Sequence, residues 1–266
     1  MKKTIHLTAG LPRGGQSLVY NILAQNPRFH LTSPAGAANL LMLVRNRWNR
    51  MVAFKATPNE AGKMRVLQGI LEGYYENVEK PVIFDRSLGW LGVLEMAEAV
   101  LERKVKVLVC VRDVRDVIST FEINWRNHPR MKQVLQKSME KHPDRQKLAT
   151  VPGRCEVFVS GEQPLGIAFN QIKDAITRGH RDRLHIIDFE KLTKNPKETM
   201  QAAYAFLEEK EFEHDFNNVK QVVWENYVLY GIPERHQIPA KVEPVQPIWP
   251  RVLGKAAERY ANQQPW

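Results

Sequence analysis

Short runs of β-branched and aliphatic residues alternate along this chain with longer stretches whose apolar positions recur every three or four residues. The short runs predict strands at Thr4 to Thr8, Pro81 to Phe84, Val105 to Val111 and Leu184 to Asp188, with Met51 to Lys55 as a weaker fifth. The longer stretches predict helices over Gln16 to Gln25, Ala37 to Trp48, Lys63 to Asn77, Leu91 to Arg103, Val114 to Trp125, Pro164 to Arg178 and Pro196 to Glu208. Strand alternating with helix is the pattern of an α/β fold, a three-layer sandwich around a central parallel sheet. Pro27, Pro129, Pro143 and Pro152 mark loops or helix ends, because proline cannot donate to a helix ladder.

Two stretches depart from this alternation. Periodicity is weakest over 127–160, which mixes charges with three of those prolines and reads as a substrate-side insert over one end of the sheet. Pro233, Pro239, Pro244, Pro247 and Pro250 make 232–266 a proline-rich tail, expected to run extended across the body. The 266 residues suit a single domain with a core that needs no staples.

Composition narrows the class. The longest apolar run, Val107 to Val111, is far short of the roughly 20 residues a bilayer span needs, so no membrane span is expected. Met1-Lys2-Lys3 looks like the start of a signal peptide, but Pro12, Arg13, Gly14 and Gly15 interrupt it before an apolar stretch forms. Cys110 and Cys155 alone make neither a disulfide framework nor a zinc site, and a cytoplasmic location is the expectation. With 39 basic and 29 acidic residues the net charge is +10, which favours anionic partners: nucleic acid, a membrane surface, an acidic polymer or a phosphorylated cofactor.

The segment Gly10-Leu11-Pro12-Arg13-Gly14-Gly15-Gln16-Ser17 selects among these. It follows the first strand and opens the first helix, so its backbone N–H groups and the helix N-terminus are placed to cradle a phosphate. Its glycines and Ser17 fit the spacing G-x-x-x-x-G-K-[ST], but Gln16 stands where a nucleotide triphosphatase carries lysine, and the cation is Arg13 at the loop tip. The plainer reading, a glycine turn that lets strand and helix pack closely, does not explain the Arg13 and Ser17 pair.

Pro12-Arg13-Gly14-Gly15-Gln16-Ser17-Leu18 resembles the cofactor motif P-[RK]-S-G-[ST]-[ST]-[LW] of the sulfotransferases that use 3′-phosphoadenosine 5′-phosphosulfate (PAPS). Gly14 and Gln16 replace hydroxyl residues of that motif, while Ser17 keeps one. The family's other hallmark is a strand-end arginine followed eight residues later by a helix serine, both gripping the 3′-phosphate. Here Arg112 follows the Val107 to Val111 run, and Thr120 falls at the eighth position with Ser119 just before it. Arginine at a strand end gives charge-assisted, bidentate bonds to phosphate. Taken alone, Arg112 and Arg115 also read as surface charges at a helix start capped by Asp113.

Leu184 to Leu192 with Asn195-Pro196 is similar to the family's strand ending Y-E-[DN]-L, with Phe189 in place of the tyrosine near the adenine. Val82 to Trp90, and Asn26 to His30 with Ser33-Pro34, resemble a poorly characterised bacterial branch, and Lys241 sits where such enzymes place a late basic cofactor contact. The resemblance, traceable from Lys3 to Leu207, implies a P-loop-like fold and a sulfotransferase with PAPS as donor and its desulfated form, PAP, as product, without metal. It implies a site of Arg13, Gly14, Gly15, Gln16, Ser17, Leu18, Arg86, Arg112, Ser119 or Thr120, Phe189 and Lys241. In that chemistry Arg13 stabilises the leaving oxygen and Arg86 meets the sulfonate.

A general base is harder to find. Relatives carry a glutamate about 20 residues past the loop, where this chain reads Ser33-Pro34-Ala35-Gly36-Ala37-Ala38. Asp85, at the end of a predicted central strand, is the first candidate, and His30, with an ordinary pKa near 6.5, the second. The acceptor is expected to be a hydroxyl compound, with an anionic carbohydrate suited to the charge. Two other readings stay open: a small-molecule kinase on the same loop, against which Gln16 speaks, and a non-catalytic basic module for nucleotides or nucleic acid. The run Arg45-Asn46-Arg47-Trp48-Asn49-Arg50 reads more readily as a solvated helix end than as a nucleic-acid contact.

Overall fold

The computed structural model describes residues 3–33, 35–224, 228, 237–264 and 266. The sequence readings at Met1, Lys2, Pro34, Ile232 and Pro233 lie outside the described residues.

Five parallel strands form one sheet: β1 (Thr4–Gly10), β2 (Phe29–Leu31), β3 (Val82–Arg86), β4 (Val107–Val111) and β5 (Leu184–Asp188), in the order β2-β3-β1-β4-β5. Helices α1 (Gln16–Leu23), α2 (Ala37–Trp48), α3 (Val52–Ala56), α4 (Glu60–Tyr74), α5 (Leu94–Leu101), α6 (Val114–Asn127), α7 (Pro129–Ser138), α8 (Val151–Phe158), α9 (Pro164–Thr177), α10 (Phe189–Lys194), α11 (Pro196–Leu207) and α12 (Trp249–Val252) surround it.

Period-2 alternation along each strand divides the core in two. Leu7, Ala9, Ile83, Val107, Val109 and Val111 face a large cluster built with α2, α4, α5, α6, α8 and α9. Val82, Phe84, Leu108, Cys110 and Ile187 face the other side, against α1, α10 and α11. The sheet is therefore the middle of three layers, as the strand and helix pattern predicted. β1 sends its chain to the α1 face, whereas its neighbours β3 and β4 feed helices of the opposite face, so their carboxyl ends open a crevice at the topological switch point.

Two predicted elements change. Met51 to Lys55 is not a strand: Val52–Ala56 is helical, because Phe54 stacks on Trp48 with ring centroids 3.8 Å apart, and a short apolar run has no period of its own to resist that packing. The edge strand is instead Phe29–Leu31, only three residues long and paired in register with β3. The weakly periodic 127–160 stretch contains α7, a 3-10 segment over Pro143–Ala149, and α8, whose start is capped by the Thr150 hydroxyl accepting from Gly153 N at 3.2 Å. Its Leu135, Met139, Leu148, Cys155 and Phe158 belong to the large cluster. Fully buried Glu122 of α6 accepts from Arg154 of α8 through both oxygens, at 2.7 and 2.6 Å, fastening this stretch to the body.

The tail bridges the two faces. Val242 packs in the α1-side cluster, and Leu253, Ala257 and Tyr260 in the large one. Among the described residues no helix is long and apolar enough to cross a membrane.

Candidate functional site

Gly10 ends β1 with φ +132°, and a Cβ there would meet the Cys110 carbonyl oxygen at 2.0 Å, so only glycine lets the loop leave so close to β4. Leu11 N donates to that carbonyl at 2.9 Å, and Gly14 N returns to Leu11 O at 2.9 Å, which closes the loop. Arg13, at its tip, holds a left-handed φ of 64°, a conformation that a non-glycine residue adopts at some cost. Gly15 caps α1 at φ +89° without a side-chain bond, so the first-turn N–H groups of α1 stay directed to the loop mouth.

The neighbouring strand ends close around this loop. A Cβ on Gly15 would stand 2.4 Å from Phe189, so the aromatic ring that follows β5 lies directly on the loop glycine. Arg112, just past β4, holds its guanidinium 4.9 Å from the centre of that ring and donates Nη2 to Asp116 Oδ2 at 2.9 Å. Its Nε is buried without a hydrogen-bond partner, 3.8 Å from Glu190 Oε1. Burial raises the Glu190 carboxyl above its ordinary range.

Beneath the loop, Arg86 of β3 is 8% exposed, donates Nε to Gln16 Oε1 at 2.9 Å and stands 5.6 Å from the Tyr20 ring centre. Among the described residues the Gln16 Nε2 is buried there without a hydrogen-bond partner, beside the buried Tyr20 and Thr8 hydroxyls, which bond to each other. Burial pushes the Tyr20 hydroxyl well above its ordinary pKa and the Cys110 thiol up to about 12, leaving both neutral. Ser17 is half-buried, the most accessible residue of α1, and Leu18 is buried in the core, so Leu18 serves the loop by packing.

Arg13, Gly14, Gly15, Gln16, Ser17, Arg86, Arg112 and Phe189 thus belong to one crevice. The helix hydroxyls are turned back on their own helix: Ser119, fully buried, donates to Arg115 O at 2.8 Å, and Thr120, partly accessible, donates to Asp116 O at 3.0 Å. Lys241 is 62% exposed on the tail, with its amine 3.2 Å from Glu243.

Both base candidates lie elsewhere. Asp85 sits on β3 but faces the large cluster, fully buried, with Tyr75 hydroxyl on Oδ2 and Trp90 Nε1 on Oδ1 at 2.8 Å. Burial raises its carboxyl, and these two bonds oppose the rise. An acid with both oxygens engaged, across the sheet from α1, is a core tie. His30 pairs with Ile83, three residues before Arg86, which puts it about 10 Å short of the carboxyl end of β3. Burial and the nearby Lys80 and Lys3 amines push its imidazole down.

The sequence reading missed Tyr20, Thr8, Glu190 and Asp116. Tyr20 and Asp116 had a legible signal, the i,i+4 spacing from Gln16 and from Arg112. Among the described residues no group of three or more His, Cys, Asp or Glu side chains is placed to hold a metal ion.

No curated protein matches the chain. Among solved structures it is similar to a sulfotransferase domain from the curacin biosynthetic pathway, at 18% identity over 80% of this chain and 76% of that one, with a TM-score of 0.49. A sulfotransferase from Alicyclobacillus acidocaldarius is 16% identical over 81% of this chain and 85% of its own, TM-score 0.47. A mouse sulfotransferase complexed with PAP is 15% identical over 80% and 60%, TM-score 0.47. The model of the family described as the sulfotransferase domain matches residues 4–229, most of the chain and all of the crevice just described, and the protein belongs to that family.

Proposed function

We propose that this protein moves a sulfonate group from PAPS to an acceptor hydroxyl by in-line displacement. The observation that carries the reading is a pair of buried donors that make no hydrogen bond among the described residues, Gln16 Nε2 and Arg112 Nε, the latter 3.8 Å from Glu190 Oε1, at a glycine loop whose backbone leaves no room for a Cβ. Buried donors left unpaired are costly, and an anion with several oxygens satisfies them. The nucleotide, when bound, supplies an activated sulfonate whose bridging oxygen gains negative charge as it leaves.

Arg13 and the first-turn N–H groups of α1 stabilise that charge from fixed positions, which is where a preorganised site contributes most. Arg86, held by Gln16 beneath the loop, meets the transferring group. Arg112 takes the 3′-phosphate, and Thr120, the more accessible of the two helix hydroxyls, joins it by releasing its bond to Asp116 O. Phe189 floors the loop and steadies the Arg112 guanidinium. The net charge of +10, much of which the nucleotide's own negative charge accounts for, also suits an anionic acceptor such as an acidic carbohydrate.

Calorimetric titration with PAP, against ATP and AMP and with and without magnesium, tests this reading. Tight, magnesium-independent binding that needs the 3′-phosphate is expected. A preference for ATP with magnesium would make the protein a kinase, and no binding to any of them would leave the loop without its donor.

A further inference from the structure

Asp116 is a buried acid that joins two parts of the molecule distant in sequence. It is 2% exposed, and its oxygens are divided. Oδ2 accepts from Arg112 Nη2 at 2.9 Å, while Oδ1 accepts from the backbone N–H groups of Ile248 and Trp249, at 2.9 and 3.0 Å. The tail sequence makes these two amides special. Pro247 and Pro250 flank them and have no N–H, so Ile248 and Trp249 carry the backbone donors between the two prolines, where α12 starts. A carboxylate from another helix therefore supplies the cap that α12 does not make for itself.

A second contact acts at the same place. Arg115, fixed in a fork by Asp113 at 2.6 to 3.1 Å, lies 4.3 Å over the Trp249 ring. Arg126, at the far end of α6, donates to Val252 O at 3.2 Å. The tail is thus clasped along α6 and enters that clasp at the acid that holds Arg112.

We propose that Asp116 is a positioning residue of the donor site: it fixes the Arg112 guanidinium for the 3′-phosphate and, through its second oxygen, makes that placement depend on the seated C-terminal tail. The proposal rests on the donor reading above. The only hydrogen bond on the Arg112 guanidinium among the described residues is the one to Asp116, with Glu190 Oε1 3.8 Å from its Nε, and a buried carboxylate is the partner that holds an arginine most firmly. Because the same carboxylate carries two tail amides, loosening the tail leaves Asp116 undersatisfied and free to turn, and Arg112 turns with it. Preference for a 3′-phosphorylated nucleotide and order in the tail become one property.

The test uses the full chain in three variants: Asp116→Ala, Asp116→Asn and Trp249→Ala. Affinity for PAP and for AMP is measured by calorimetry, and amide hydrogen exchange at Ile248 and Trp249 is followed without nucleotide. Asp116→Ala is expected to lower the preference for PAP over AMP about tenfold or more, with AMP affinity changed less than about twofold. Exchange at both tail amides should accelerate in the same variant. Asp116→Asn, which keeps the shape and an acceptor for the tail, should lose part of the preference with little change in exchange, and it carries the test where the alanine variant does not fold. Trp249→Ala leaves both Asp116 oxygens in place and should lower the preference about threefold by loosening the clasp.

A full 3′-phosphate preference in both Asp116 variants overturns the proposal, as does unchanged exchange at both amides in Asp116→Ala. If the unaltered protein shows no preference for the 3′-phosphate, the donor reading itself falls, and faster exchange in Asp116→Ala then marks a clasp that holds only the tail.

Discussion

Asp85 and Arg86 are consecutive residues at the end of one central strand, both charged and both buried, and the pleat sends them to opposite faces of the sheet. On one face Asp85 has a donor on each oxygen, from Tyr75 and Trp90, within a cluster of aliphatic side chains. On the other face Arg86 meets Gln16 and Tyr20 beneath a glycine loop where Gln16 Nε2, among the described residues, has no hydrogen-bond partner. Burial and charge are alike in the two places; satisfaction is not. A closed polar group ties the core together, whereas a buried open donor beside an arginine and a helix N-terminus is a place prepared for an anion.

The largest effect that would break this contrast is on the open face. Arg13→Ala should lower sulfonate transfer about a hundredfold to a thousandfold, the scale of losing one preorganised oxyanion donor, while the melting temperature stays near that of the unaltered protein. Undiminished transfer would remove the loop from the chemistry. On the closed face the order reverses. Asp85→Ala strands the Tyr75 hydroxyl and the Trp90 N–H and should destabilise the fold by about 2–4 kcal/mol in denaturant unfolding. Asp85→Asn, which can still accept from Trp90, should keep transfer within about threefold, as expected of a residue that does not reach the crevice. Loss of transfer with an intact fold would return Asp85 to the list of bases.

A gentler test uses pH. Burial pushes the His214 imidazole down to about 4. The unfolded chain therefore takes up this proton first as pH falls, so stability from this group is complete above its ordinary pKa of about 6.5 and is lost as pH drops toward 4. Melting followed over that window should show a decline that His214→Phe makes shallower, and an unchanged slope would mean that His214 is not the titrating group. The smallest effect belongs to His30, mid-strand and away from the crevice. His30→Ala should leave transfer within about twofold, and a loss of the size expected for a general base, about a hundredfold, would contradict its placement.

How far the sequence could be read differed from element to element. Four of the five strands and the loop at 10–17 were legible because each rests on local rules, such as period-2 runs, glycine φ angles and caps. β2 was not, since three residues carry no pattern and their strand character comes from pairing with β3. Met51 to Lys55 showed the converse, an apolar run that becomes a helix because Trp48 is there to stack on Phe54. In the site, Arg13 and Gln16 were named from the loop's own spacing and Arg112 from the family resemblance, and they lie in one crevice with Phe189. Asp85 was named from its strand-end position, but position alone does not say which face a side chain takes or what meets it there.

The succession of strands and helices and the glycine loop with its unusual cation are written in short stretches of chain, because they follow from backbone geometry and charge within a few neighbouring residues. That Asp85 is a core tie, that Phe189 floors the loop and that the tail is clasped at Asp116 emerge with folding. Those outcomes depend on which partner reaches a buried polar group, and the tail partners of Asp116 are 132 and 133 residues away. A buried carboxylate takes its role from whatever donors surround it, and folding brings those donors from parts of the chain that no local pattern connects.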